Sequence, residues 1–146
     1  MKRETDKLKA HNFILHWLPL VLYCLLIFIL SSRPLPEQIP DIDYFDKVLH
    51  LLAYGVMGIL FLRAYATLSF RHKPQLLMAL SIASASLYGI GDEIHQYFVP
   101  FREADILDGI ADILGAAVGV YLYRRWQPGL GGHGDRTAER QRSENR

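Results

Sequence analysis

Cysteine is nearly absent: Cys24 stands alone in a chain of 146 residues. No disulfide can close within the chain, and no thiolate cluster can hold a metal. Cys24 sits in an apolar run and reads as a small buried hydrophobe. An excess of either charge is missing as well, the formal net charge being +1. A nucleic-acid binder needs a basic surface, so that class is excluded. No internal repeat is detectable. The A-x-A pattern of a signal-peptide cleavage site is also missing, because Ser31-Ser32-Arg33-Pro34 follows the first apolar run. That run therefore reads as a retained helix rather than a removed leader.

What is present is hydrocarbon in long blocks. Hydrophobic residues make up 51% of the chain and concentrate between Phe13 and Tyr123. The polar ends pull the mean hydropathy down to +0.10. Phe13 to Leu30 carries no Asp, Glu, Lys or Arg and is long enough to span a bilayer. His16 and Trp17, near its start, suit an interfacial anchor. Pro34, Pro36 and Pro40 make the next segment a loop. Asp46 opens a second apolar helix that runs to about Tyr65, and its carboxylate suits the positive end of the helix dipole. Pro74 fits the first turn of a third helix, which Pro100 ends. A fourth covers about Asp105 to Trp126.

The expected fold is all-α, a four-transmembrane-helix bundle. Residues 1–12 form a charged lead, 13–126 the membrane domain, and 127–146, rich in Gly and mixed charge, a disordered tail. With four spans, both ends and the 63–73 connection share one side. That side holds thirteen of the sixteen Lys and Arg residues, leaving Arg33, Lys47 and Arg102 on the other. Positive charge marks the cytoplasmic side, so N-terminus and C-terminus are expected in the cytoplasm of a multi-pass inner-membrane protein. Small residues repeat every four positions at Ala111, Gly115 and Gly119 and at Ser81, Ala85 and Gly89. Such stripes let helix backbones approach closely in lipid. Packing inside one bundle is the simpler use for them, and a homo-oligomer stays open.

The stretch from Gly91 to Asp112 breaks the apolar pattern with six carboxylates. Ionisable groups at this depth are costly unless they face a polar cavity, a partner or water. Asp46, His50 and Tyr54 recur every four residues on one face of the second helix, with Lys47 beside them. Asp92, Glu93 and Gln96 lie within about 100° on the third helix, and Asp105, Asp108 and Asp112 within about 60° on the fourth. His95 is expected to point at solvent. Arg102, between the third and fourth helices, suits an anion such as phosphate or carboxylate.

Several chemistries fit these residues. His50, Asp92, Glu93 and Asp108 are candidate ligands for a divalent cation. His50 with Asp92 or Glu93 is a candidate acid/base pair. Arg102, Gln96, Asp46, Lys47, Tyr54, Asp105, Asp108 and Asp112 are candidate substrate contacts. The structural alternative is that Lys47, His50 and Arg102 pair with the acids and only lock the helices together. A transporter would need a polar path through the cytoplasmic half, where helices two to four carry almost no charge.

Four blocks resemble the VanZ-like family. They are Ser31-Ser32 with Pro34; Asp46-Lys47-x-x-His50-x-x-x-Tyr54; Asp92-Glu93-x-x-Gln96-x-Phe98-x-Pro100-x-Arg102; and Asp105-x-x-Asp108-x-x-x-Asp112-x-x-Gly115-x-x-x-Gly119. Phe101 stands where that family commonly has Gly, and Asp112 where Asn is frequent. The resemblance implies a bacterial integral membrane protein whose motif falls on Asp46, His50, Asp92, Glu93, Gln96, Arg102, Asp105, Asp108 and Asp112. Its namesake is linked to low-level resistance to teicoplanin, a glycopeptide that binds cell-wall precursors. The partners this implies are membrane lipids and a lipid-linked envelope precursor. It leaves open whether a reaction is catalysed.

Overall fold

The computed structural model describes residues 2–33, 45–100 and 105–127, with only the helical backbone for 2–10 and 12. The three prolines of the first loop, Arg102, Glu103 and all but the first residue of the expected tail lie outside the described residues.

Four helices follow one another: α1 (Lys2–Ser31), α2 (Phe45–Tyr65), α3 (Pro74–Tyr97) and α4 (Ile106–Trp126). Each contains a span long and apolar enough to cross a membrane, the first being Phe13–Ser31. The charged lead is helical too, so α1 begins well before its apolar span. At about 1.5 Å per residue the other three helices reach about 30–36 Å, the thickness of a hydrocarbon core. Pro74 occupies the first turn of α3, where a missing N–H costs nothing. Asp105 caps α4 instead of joining it. Its backbone is extended, and its Oδ1 accepts the Leu107 N–H at 2.9 Å.

Large apolar side chains lie exposed along every helix, as on Leu22, Leu52, Leu87 and Leu114. The surround that tolerates such a surface is lipid rather than water. The interior is built from small residues and a few large ones. Tyr54, Met57, Ala85 and Ala116 form one cluster, and Leu62, Leu77 and Val120 another.

The closest pair is α2 with α4, and glycine is the reason. A Cβ on Gly115 would collide with the backbone of Leu51, and one on Gly119 with the backbone of Gly55. The small-residue stripe of α4 is thus spent inside the chain, on α2. Ser81, Ala85 and Gly89 are likewise buried on the inner face of α3.

Helix α1 is attached differently. Most of its span faces outward, and it is held through donors. Trp17 Nε1 donates to Thr67 Oγ1 at 3.0 Å. Tyr23 OH donates to the Ala53 carbonyl at 3.0 Å, and Tyr88 OH to the Cys24 carbonyl at 2.6 Å. A groove of about 360 Å³ lies along it, lined by Trp17, Leu20, Leu25, Phe61 and Tyr88 among others.

Alternating direction brings the C-terminal ends of α1 and α3 to the same end as the N-terminal ends of α2 and α4. The carboxylates of α2, α3 and α4 gather there. Arg63, Arg124 and Arg125 stand at the last turns of α2 and α4, at the opposite end.

Candidate functional site: a polar cluster at one end of the bundle

Two basic side chains of α2, Lys47 and His50, organise this polar cluster. Lys47 Nζ, on the first turn of α2, reaches three carboxylates: Asp105 Oδ2 at 2.7 Å, and Asp46 Oδ2 and Asp108 Oδ1 at 3.0 Å each. The ammonium therefore ties α2 to the start of α4. Lys47 and the Leu107 N–H together hold the Asp105 carboxyl below the usual carboxylate range. The Asp105 N–H also donates to Glu93 Oε2 at 3.1 Å, so the same residue joins α3.

One turn deeper, His50 Nδ1 is within hydrogen-bond distance of Asp112 Oδ1, at 2.9 Å, and lies 4.0 Å from Glu93 Oε1. The imidazole stacks nearly parallel on the Tyr54 ring, with centroids 6.2 Å apart. Tyr54 itself is buried. The i, i+4, i+8 spacing of Asp46, His50 and Tyr54 thus descends into the bundle along one face of α2.

Asp92 faces the other way. Its Oδ1 accepts from Ser31 Oγ at 2.6 Å and its Oδ2 from Gln96 Nε2 at 3.1 Å, so both oxygens have donors. Neighbours in sequence on a helix diverge by about 100°, which sends Asp92 toward α1 and Glu93 toward α2 and α4. His95 does not point at solvent as expected. It stacks on Phe28, with centroids 4.7 Å apart, and its Nε2 lies 2.9 Å from Ser32 Oγ.

The three polar stripes read from spacing do meet in space. His50, Glu93 and Asp112 each offer a ligand atom within 4.8 Å of the other two. Asp92 and Asp108, which the sequence reading also offered as metal ligands, are not in this group of three, and Asp112 is. Ser31 adds a donor to Asp92, and Ser32 a hydroxyl beside His95, from α1, which no spacing argument on the other helices could reveal. Two carboxylate oxygens, Glu93 Oε1 and Asp112 Oδ2, are buried and have no hydrogen-bond partner among the described residues. Arg102 lies outside them.

A family model described as VanZ-LLP1, or VanZ/LLP1, matches residues 7–127. No curated protein and no solved structure matches the chain.

Proposed function

The chain belongs to the VanZ/LLP1 family, and from that footing we propose that its polar cluster binds the headgroup of an anionic envelope lipid or a lipid-linked wall precursor. The positive-inside distribution supports an outward-facing cluster in a bacterial cytoplasmic membrane, where such precursors are within reach. Arg102, three residues before Asp105 in sequence, supplies a guanidinium for phosphate. In a catalytic form, His50 and Glu93 are the proton-handling pair.

One observation carries this reading. Ion pairs that only lock helices leave few buried groups without a hydrogen bond, yet Asp112 Oδ2 and Glu93 Oε1 are both buried with none among the described residues, Glu93 Oε1 having only His50 Nδ1 at 4.0 Å. A second reading has its own support. Lys47 is already saturated by three carboxylates, which is what a structural clamp requires.

Native mass spectrometry on protein gently extracted with its lipids separates the two. A retained phospholipid or polyprenyl-phosphate, lost in a folded Arg102→Ala variant, supports the headgroup site. No retained phosphate-bearing lipid in any sample leaves the clamp. Cysteine labelling in a Cys24→Ser background tests the orientation. Gln38→Cys is expected to react from outside and His72→Cys only from inside.

A further inference from the structure

We propose that His50, Glu93 and Asp112 form a site for one divalent transition-series cation, zinc or manganese, within the polar cluster. The proposal rests on reading the cluster as a binding site, and it names the ion through which an acidic cluster holds an anionic group.

The geometry comes first. The three side chains arrive from α2, α3 and α4, and their ligand atoms lie within 4.8 Å of one another. Around one ion with bonds of about 2.0–2.2 Å, ligand atoms sit roughly 3–4 Å apart, so small side-chain rotations close the site.

Charge comes second. Two carboxylates face one imidazole, while the nearby Lys47 is engaged by Asp46, Asp105 and Asp108. A divalent cation neutralises the pair of acids, which a singly charged imidazolium does not.

The third observation is independent of both. Asp112 is 0% exposed, yet only its Oδ1 is used, by His50. Its Oδ2 and Glu93 Oε1 have no hydrogen-bond partner among the described residues, the nearest cationic group to Glu93 Oε1 being His50 Nδ1 at 4.0 Å. Buried acceptors are almost always satisfied, so two carboxylate oxygens left over beside one imidazole need an explanation, and a bound ion supplies one. The chain also makes room for them. A Cβ on Gly89 would stand 2.6 Å from Asp112 Oδ2, so glycine at this position admits the carboxylate against the α3 backbone.

The surroundings orient the ligands as metal sites require. The Asp105 N–H holds the other oxygen of Glu93, and the Tyr54 ring runs nearly parallel to the imidazole with centroids 6.2 Å apart. One nitrogen and two carboxylates suit zinc or manganese better than calcium, which collects six to eight oxygens. Three protein ligands leave at least one coordination position open. A phosphate oxygen bound there would resolve the conflict between an anionic ligand and an acidic cluster.

The test uses full-length protein in detergent, stripped with a chelator and titrated with ZnCl2 or MnCl2 by calorimetry. Lipid retention is scored on the same sample. Expected is one ion per chain, with affinity falling by more than about 100-fold in Glu93→Gln and in Asp112→Asn, beyond what loss of a supporting residue costs. Glu93→Gln keeps the shape and an acceptor for the Asp105 N–H, so it decides the matter if Asp112→Asn does not fold. Asp92→Asn, outside the triad, should bind the ion as wild type does. Wild type that binds no ion, or binding that survives in folded Glu93→Gln, overturns the site. Retained lipid without an ion at saturating zinc overturns the cation site alone. A bound ion without lipid supports the cation site and overturns the headgroup reading.

Discussion

Gly89 on α3 and Asp112 on α4 meet so closely that a Cβ on the glycine would stand 2.6 Å from Asp112 Oδ2 and 3.0 Å from the Tyr54 ring. The missing side chain of one residue is therefore the space occupied by the carboxylate of the other. Gly89→Ala should destabilise the bundle by about 1–3 kcal/mol through overpacking. Thermal unfolding in detergent measures it. Adding Asp112→Ala removes the carboxylate but leaves the Asp112 Cβ at 2.9 Å, so the clash is relieved in part and the double variant should lose somewhat less than the sum of the two singles. Strict additivity would show that the two residues do not share this space.

The α2–α4 seam gives a sharper contrast between two glycines. Gly115→Ala drives a methyl into the backbone of Leu51, whereas nothing lies within 4 Å of a Cβ on Gly91. The first should cost about 3 kcal/mol or more, because backbone cannot move aside as a side chain can. The second should be neutral or stabilising by up to about 1 kcal/mol, from helix propensity alone. Equal unfolding temperatures for the two variants would contradict the packing described.

Lys47→Met removes the ammonium that three carboxylates share. The loss should be on the order of 2 kcal/mol, tempered by the partial exposure of the site. Asp108 is the most buried of the three partners, its side chain 8% exposed. Asp108→Asn in the Lys47→Met background should therefore recover stability, while Asp46→Asn, at the exposed rim, should recover less. Chemical denaturation of the single and double variants checks the order.

Acid should loosen the start of α4. The Asp105 carboxyl is held below its usual range by the Lys47 ammonium and the Leu107 N–H. Its folded value is thus lower than its unfolded one, near 4, so the stabilisation is complete above that value and disappears as pH falls through the folded one. Unfolding temperature should be insensitive to this group between about pH 5 and 7 and should fall below about pH 4. In Asp105→Asn, the part of that fall due to this residue should be missing.

Much of this was readable from residue spacing. The four spans, the inward faces of Ser81, Ala85 and Gly89, and the stripe of Asp46, His50 and Tyr54 all follow from a period of 3.6 and a hydrocarbon length. The partners were not readable. Spacing fixes an angle around one helix, but which carboxylate meets which cation depends on the phase of one helix against the next. That is why Asp92, adjacent to Glu93, went to Ser31 and Gln96 while Asp112 joined His50. Small residues set this phase, since α4 lies where Gly115 and Gly119 let it touch α2. Likewise, nothing on α3 alone reveals that Phe28 and Ser32 of α1 will occupy His95.

The way α1 is attached has a consequence for biogenesis. It leaves the ribosome first, but its fastenings wait for chain made later: Thr67 for Trp17, Asp92 for Ser31 and His95 for Ser32. Docking of α1 is therefore staged: Tyr23 can fasten to Ala53 once α2 is in the membrane, whereas the contacts of Ser31 and Ser32 wait until α3 has followed. A gene split between α1 and α2 should yield two pieces that reassemble in the membrane and co-purify. Substituting Trp17 and Ser31 should release the first piece and leave the three-helix remainder intact.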